Sequence, residues 1–284
     1  MFDGVCTAIV TPFNQLGDID YDALALLIER QLLYGVKAIL ILGSTGECES
    51  IEESEKIKII KFAKKRIANN AKLIVGTGSA STNETIKQTK IAKKLGADMC
   101  LIVSPYYAKC TQRGVFEHYN KISHQVDIPI IVYNVPSRTN VNIDAITLRE
   151  ISKLKNICAV KEASTDIAHI QKVFKYCNLP VFCGNDNLID IFYSLGAKGI
   201  ISVTSNVFPR ALLDFHKFPK KRKEIAQKLC VFNDLMFCEP NPIPVKYALC
   251  KLGLIKNVLR LPLLPLENNC DQIDEQLQNL KEFL

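Results

Sequence analysis

One lysine stands at the end of an apolar run, where a reactive amine is expected. Lys161 directly follows the run of residues 157–160, which reads as a buried strand. Burial disfavours the charged form of a lysine and lowers its pKa, so its free amine can attack a carbonyl carbon. The alternative is a structural lysine paired with a carboxylate such as Glu162. Position alone leaves both interpretations open.

Hydroxyl groups follow other apolar runs. Tyr133 ends one such run, and Tyr107 and Thr45 follow two more. A phenol at a strand end can hold and transfer a proton, although a half-buried tyrosine more often binds a backbone group. Ser44 and Thr45 lie in the glycine-flanked turn GSTGE (43–47), whose N–H groups can hold an anion. The turn lacks the GK[ST] ending of a P-loop.

A cationic group completes the candidate site. Arg138 lies five residues after Tyr133, and its guanidinium can bind a carboxylate through two parallel hydrogen bonds. A surface salt bridge is the alternative for this residue. With Lys161 as nucleophile and Tyr133 as proton carrier, the set is typical of Schiff-base chemistry on a keto acid. The iminium withdraws electrons, and a nearby proton carrier then generates the enamine.

The elements that must position these residues alternate regularly. Eight short apolar runs alternate with longer amphipathic stretches, as expected of parallel strands that are buried on both faces. This count predicts a (β/α)8 TIM barrel, whose chemistry lies at the carboxyl ends of the strands. An open doubly wound sheet is less favoured, because no GxGxxG follows the first strand. The predicted strands are residues 5–10, 37–42, 72–76, 98–103, 128–134, 157–161, 180–184 and 198–203.

Helix signals flank the amphipathic stretches. Asp20 and Thr82 are predicted N-caps, and Gly35, Gly96 and Gly196 are predicted left-handed residues after helices. The predicted helices of the first part of the chain are residues 21–35, 52–68, 82–96 and 165–177.

The strand pattern ends near residue 205, after which proline-broken helices follow. We therefore predict a catalytic barrel over residues 1–205. Residues 206–284 form a C-terminal helical segment that packs on the barrel.

Charge and cysteine content argue against a nucleic-acid-binding protein and against a disulfide-linked secreted protein. The chain has 284 residues with 36 Lys and Arg against 29 Asp and Glu, which gives a charge of +7. No nucleic-acid motif accompanies this charge, so we expect solvated surfaces and attraction of anionic substrates. The 11 cysteines are an odd number without a CxxC pair, which predicts free thiols, no metal site and a cytoplasmic protein. No secretory signal or membrane segment is expected.

Six motifs in a fixed order resemble the dihydrodipicolinate synthase family, also called 4-hydroxy-tetrahydrodipicolinate synthases, of the pyruvate-dependent class I aldolase superfamily. The similarity extends from residue 8 to residue 249. The motifs are GSTGE (43–47), SPYY (104–107), YNVPSRT (133–139), KEAS (161–164), GND (184–186) and GIISVTSN (199–206).

The resemblance implies a (β/α)8 barrel with a C-terminal helical segment, assembled as a homotetramer (a dimer of dimers). It implies condensation of pyruvate with L-aspartate 4-semialdehyde, the first committed step of diaminopimelate and lysine biosynthesis. No metal or organic cofactor is expected, since the reaction proceeds through a covalent lysine–pyruvate Schiff base.

The resemblance also assigns roles to residues of this chain. Lys161 would form the Schiff base, and Tyr133 would carry the proton. Thr45 would connect Tyr133 to Tyr107, which the family takes from the neighbouring subunit. The remaining expected contacts are substrate-binding, with the pyruvate carboxylate on Ser44 and Thr45, the semialdehyde carboxylate on Arg138, and backbone groups near the lysine from Gly184 and Ile201.

The chain departs from the family pattern beside the site. Ser44 stands where the synthases usually have threonine, and Ala108, Cys110 and Asn140 also differ from the usual residues. GSTGE occurs in N-acetylneuraminate lyases too, so such a lyase or a 2-keto-3-deoxy sugar acid aldolase is the alternative function. Arg138 favours the synthase, because the lyases generally lack this arginine.

Regulation by lysine is predicted to be weak or absent. In many bacterial relatives, lysine binds at a dimer interface through positions of which Glu84 and Tyr106 are retained here. Ala80 removes an amide from that set, and an amide lost from a polar site costs roughly 1–3 kcal/mol. The other positions that depart from the pattern are Cys48, Glu49, Glu53 and Lys56.

Overall fold

The computed structural model describes residues 2–284 and confirms the predicted TIM barrel. Eight parallel strands pair in sequence order, and β8 pairs with β1 to close the barrel. All eight predicted strands are present, with ends that differ from the prediction by two residues at most. The strands are β1 (Gly4–Ala8), β2 (Ala38–Ile41), β3 (Lys72–Gly76), β4 (Met99–Val103), β5 (Ile130–Asn134), β6 (Ile157–Glu162), β7 (Val181–Cys183) and β8 (Gly199–Ser202).

Alternation along each strand separates two apolar layers. On β5, Ile130 and Val132 pack outward against the helices, whereas Ile131 and Tyr133 belong to the cluster inside the barrel. Both faces are therefore apolar, which explains why the runs show no polar alternation. Since Lys161 is paired in register with Tyr133 on the neighbouring strand, both side chains belong to the inner face at the carboxyl end.

Helices surround the strands. The four helices predicted in the first part of the chain are present, with ends that differ by two residues at most. The helices are α1 (Tyr21–Tyr34), α2 (Glu53–Ile67), α3 (Thr82–Lys94), α4 (Gln112–Gln125), α5 (Pro136–Thr139), α6 (Ala145–Ile151), α7 (Ile167–Tyr176), α8 (Ile189–Ser194), α9 (Pro209–Lys217), α10 (Arg222–Leu235), α11 (Ile243–Lys251) and α12 (Cys270–Asn279).

Most of the predicted helix ends are confirmed, and one is wrong. Asp20 caps α1 by accepting a hydrogen bond from the Ala23 N–H at 3.0 Å. Gly35 has the left-handed φ of 91° that ends this helix. The N-cap of α3 is Ser81 rather than Thr82, because the Ser81 hydroxyl accepts from the Glu84 N–H. Two adjacent hydroxyl residues can each cap a helix, so the sequence could not distinguish them.

The helices after β8 share the outer apolar layer of the barrel. Leu229, Val245 and Ile273 lie in the same cluster as the outward-facing strand residues. Asn206, just after β8, donates a hydrogen bond to the Ala8 carbonyl oxygen at 2.8 Å. This bond connects the segment after the last strand to the first strand. The division of the chain at residue 205 stays a prediction.

Other composition-based expectations can be compared with the described residues. All eleven cysteines are free thiols, as predicted. In residues 2–284, no helix is long and apolar enough to cross a membrane.

Candidate active site

A cavity of about 490 Å³ opens where the carboxyl ends of the strands meet. Its walls come from the segments after β2, β5, β6, β7 and β8, together with a loop of the C-terminal segment that precedes α11. The barrel therefore brings these segments together at the carboxyl ends of its strands. Six residues singled out from the sequence line this cavity, namely Ser44, Thr45, Tyr133, Arg138, Lys161 and Gly184.

Lys161 is a buried amine with an aromatic neighbour. The residue is 5% exposed, and its Nζ lies 4.4 Å from the centroid of the Tyr133 ring. In residues 2–284, no acidic side chain forms an ion pair with Lys161. The structural interpretation, in which a carboxylate neutralises this lysine, is therefore wrong.

The Glu162 carboxylate forms hydrogen bonds on the opposite face of the same strand. Its two carboxylate oxygens each accept a hydrogen bond from the Asn134 Nδ2 at 2.9 Å, and Oε1 also accepts from the Ser164 N–H at 2.7 Å. The His169 Nε2 lies 3.4 Å from Oε2. Because adjacent strand residues point to opposite faces, Glu162 holds the ends of β5 and β6 together from outside the barrel while Lys161 faces the cavity.

Gly184 has no side chain, and its absence leaves room for the side chain of Lys161. A Cβ at this position would lie 3.0 Å from Lys161 Cε and 2.9 Å from the Glu162 carbonyl oxygen. Real Cβ atoms essentially never approach backbone atoms so closely. A larger residue would therefore displace Lys161 or the end of β6.

The turn after β2 presents Thr45 to the cavity. Ser44–Gly46 form a short 3-10 helix, and Thr45 is 3% exposed. The Thr45 Oγ1 accepts a hydrogen bond from the Asn241 Nδ2 at 2.9 Å. From the other side, the Thr11 hydroxyl donates to the Gly46 carbonyl oxygen at 2.8 Å, which fixes the turn against the loop after β1.

Arg138 is held by the backbone rather than by a salt bridge. Its Nη2 donates to the Asn241 carbonyl oxygen at 2.9 Å. In the described residues it forms no ion pair, so the surface salt-bridge interpretation is wrong. One end of the guanidinium is anchored by this hydrogen bond, and the side chain also lines the cavity.

Two predicted residues lie outside the cavity wall. Tyr107 is 94% exposed with a positive φ of 69°, and it does not line the cavity that Thr45 and Tyr133 line. Ile201 on β8 is 1% exposed and belongs to the same apolar cluster inside the barrel as Tyr133.

Other ionisable groups near the lysine are poor nucleophiles. Burial raises the pKa of the Cys6 thiol, inside the barrel, to about 12. Burial also raises the pKa of the Asp186 carboxyl, although the Ser202 hydroxyl and the Val203 N–H (2.9 Å) donate to it. The Cys6 thiol therefore stays protonated at neutral pH and is a poor nucleophile.

Asn241 is the site residue that sequence reasoning missed. The segment PNPIPVK (240–246) lies within the similarity to the family, which extends to residue 249, but none of its residues was assigned a role. Its position 196 residues after Thr45 gave no indication of contact. In residues 2–284, no group of three or more His, Cys, Asp or Glu side chains is arranged to hold a metal ion.

A second cavity of about 380 Å³ lies beside the first and shares Ser44, Tyr133, Arg138 and Asn241 with it. Tyr106 lines this cavity, and its hydroxyl donates to the Glu49 carboxylate at 2.8 Å.

Comparisons with known proteins agree with the geometry. The profile of the dihydrodipicolinate synthetase family matches residues 1–280. A 4-hydroxy-tetrahydrodipicolinate synthase of Alkaliphilus oremlandii is 41% identical over 274 residues, which cover 94% of each chain. The dihydrodipicolinate synthase of Acinetobacter baumannii, solved with pyruvate, has 35% identity and a TM-score of 0.96 over 100% of both chains. That of Aquifex aeolicus has 40% identity and a TM-score of 0.95, covering 100% of this chain and 99% of the other. The chain belongs to the dihydrodipicolinate synthetase family.

Proposed function

We propose that this chain is a 4-hydroxy-tetrahydrodipicolinate synthase, which condenses pyruvate with L-aspartate 4-semialdehyde in diaminopimelate and lysine biosynthesis. The observation that carries the proposal is Lys161, a buried amine that faces a cavity, touches Tyr133 and has no carboxylate partner in the described residues. A lysine in this setting is suited to attack a ketone.

The first half of the reaction forms the nucleophilic enamine. The Lys161 Nζ attacks C2 of pyruvate, and loss of water leaves an iminium. Removal of a proton from the pyruvate methyl group gives the enamine, because the iminium accepts the electron pair. Tyr133 is the proposed proton carrier, and Thr45 links it to the phenol of Tyr107. Ser44 and Thr45, with the N–H groups of their turn, hold the pyruvate carboxylate.

The second half joins the two substrates. The enamine carbon attacks the aldehyde carbon of the semialdehyde, and its oxygen takes up a proton. The amine of the semialdehyde then attacks C2 and closes the ring, and the departure of the Lys161 amine regenerates the enzyme. Arg138 holds the semialdehyde carboxylate at the entrance, while backbone groups of Gly184 and Ile201 line the surroundings of the lysine.

Assembly completes the proposed site. Because Tyr107 is almost fully exposed in one subunit, we propose that it enters the cavity of a neighbouring subunit. This requires at least a dimer, and the proposed state is a homotetramer that works in the cytoplasm. The barrel of residues 1–205 and the helical segment of residues 206–284 would then act as one catalytic unit without a metal or organic cofactor.

The test is an assay with pyruvate and L-aspartate 4-semialdehyde, in which a reductase that acts on the cyclic product reports its formation. We expect product from this pair and no pyruvate release from N-acetylneuraminate or a 2-keto-3-deoxy sugar acid. Cleavage of a sugar acid without condensation of the semialdehyde would contradict the proposal.

A further inference from the structure

We propose that Asn241 is a positioning residue that fixes the direction in which Thr45 gives its proton. The inference rests on the proposed function of the site. It assigns to the C-terminal segment a part in proton transfer, in addition to its packing on the barrel.

Asn241 lies between two residues of the candidate site. It precedes α11, is 5% exposed, and lines the cavity that contains Lys161. Its side-chain Nδ2 donates to the Thr45 Oγ1 at 2.9 Å. Its main-chain carbonyl oxygen accepts from the Arg138 Nη2, also at 2.9 Å. The Asn241 side chain therefore binds Thr45, and its main-chain carbonyl group binds Arg138.

The Asn241 amide determines the direction in which the Thr45 hydroxyl can donate its proton. The NH₂ group of an asparagine can only donate, so it occupies a lone pair of Oγ1 and leaves the hydroxyl proton of Thr45 free. In residues 2–284, that proton has no hydrogen-bond acceptor. Since Thr45 is 3% exposed and lines the cavity with Tyr133, its proton can be donated to an oxygen atom within this cavity. A carboxylate at position 241 would instead accept the proton and reverse the hydrogen bond.

The backbone of the turn does not depend on this amide. The Thr11 hydroxyl holds the Gly46 carbonyl oxygen at 2.8 Å, and the Gly46 N–H donates to the Gly43 carbonyl oxygen at 2.9 Å. The Glu47 carboxylate accepts from the Arg260 N–H at 3.1 Å. A change of side chain at position 241 is thus expected to alter the Thr45 hydroxyl while the turn stays in place.

The experiment compares Asn241→Asp and Asn241→Ala with the intact enzyme. Exchange of the pyruvate methyl protons with deuterated solvent, followed by NMR without semialdehyde, reports enamine formation. Borohydride trapping of pyruvate on Lys161, taken to completion, reports Schiff-base formation alone. Asn69→Asp, at an exposed asparagine in the turn after α2, is the matched control.

We expect methyl exchange to fall at least about tenfold in both variants, with Asn241→Asp the slower. The trapping yield should stay at the wild-type level. The semialdehyde KM of Asn241→Ala should stay within about twofold, because the carbonyl that holds Arg138 is retained. In a Thr45→Val background, Asn241→Ala should cause no further loss of exchange, since both changes interrupt one interaction.

Three results would overturn the proposal: unchanged exchange in both variants, a parallel loss of trapping and exchange, or additive losses in the double variant. A wild-type enzyme that is neither trapped by pyruvate nor active in exchange would contradict the proposed function itself, whatever the variants show.

Discussion

Lys161 and Lys246 are both buried, yet their surroundings differ completely. Lys161 is 5% exposed and faces a cavity, with the Tyr133 ring as its neighbour and no carboxylate partner in residues 2–284. Lys246 is 0% exposed, pairs with Glu47 and donates to the Val258 carbonyl oxygen at 3.0 Å. Each Nζ also lies above an aromatic ring, at 4.4 Å for Lys161 and 4.1 Å for Lys246 over Phe13.

Burial alone therefore does not make a lysine reactive. The amine of Lys246 is surrounded by protein groups and connects the turn after β2 to the C-terminal segment. Burial lowers the pKa of Lys246 to about 8, against the opposing effect of the Glu47 carboxylate. Lys161 has room for a substrate. We therefore assign the chemistry to Lys161 and a structural role to Lys246.

The largest expected effect is that of Lys161→Ala on catalysis. Without the amine no Schiff base forms, so the condensation rate should fall by about 10⁴-fold or more. The free energy of unfolding, from urea titration, should change little because no ion pair is broken. Lys223→Ala, an exposed lysine on α10, is the control and should keep the wild-type rate. A Lys161→Ala enzyme within tenfold of the wild-type rate would contradict the assignment.

Lys246→Met should act on stability instead. Removing one partner of a buried pair leaves an uncompensated charge on Glu47, which typically costs about 3–5 kcal/mol. Urea unfolding should show this loss, and Glu47→Gln in the same chain should recover part of it. An unchanged unfolding midpoint for Lys246→Met would mean that the pair does not stabilise the fold.

Arg138→Ala should separate the two substrates. Loss of a charged hydrogen-bond donor costs about 1.5–3 kcal/mol, so the KM for the semialdehyde should rise roughly tenfold to a hundredfold. Trapping of pyruvate by borohydride should be unaffected, because Lys161 needs no contact with Arg138. If both substrates were affected equally, the proposed role of Arg138 would be wrong.

The pH dependence of the free energy of unfolding should reveal the lowered pKa of Lys246. Its pKa is about 8 in the folded protein, against 10.5 for an ordinary lysine. Between these values the unfolded chain binds more protons at this residue, so its contribution to stability rises with pH. Buried thiols such as Cys6, whose pKa is raised, act in the opposite direction at high pH. The test is therefore the difference between wild type and Lys246→Met, which should increase from pH 8 to 10.5; a constant difference would refute it.

The smallest expected effect concerns lysine as an inhibitor. Ala80 carries no amide, and the Tyr106 hydroxyl already donates to Glu49 at 2.8 Å. Glu53 pairs with Lys87 on α3. We expect no inhibition by lysine below the millimolar range, and some gain of sensitivity in Ala80→Asn. A sub-millimolar inhibition constant for the wild type would contradict this expectation.

The local parts of the site could be predicted from the sequence, whereas its long-range contacts could not. Apolar runs indicated the strands, and their carboxyl ends placed Lys161 and Tyr133 on one rim. Sequence proximity suggested Glu162 as a partner of Lys161, but strand alternation directs it to the opposite face. The ion pair that does form on a buried lysine joins Lys246 to Glu47, far apart in the chain. The contact of Asn241 with Thr45 is equally distant, and only packing of the C-terminal segment creates it.

Borohydride reduction of the intact enzyme with pyruvate, followed by peptide mapping, is the most direct test of whether Lys161 forms the Schiff base. We expect one reduced pyruvyl adduct per chain, on Lys161, and none on Lys246. An adduct on Lys246, or no adduct at all in an enzyme that condenses its substrates, would contradict this assignment.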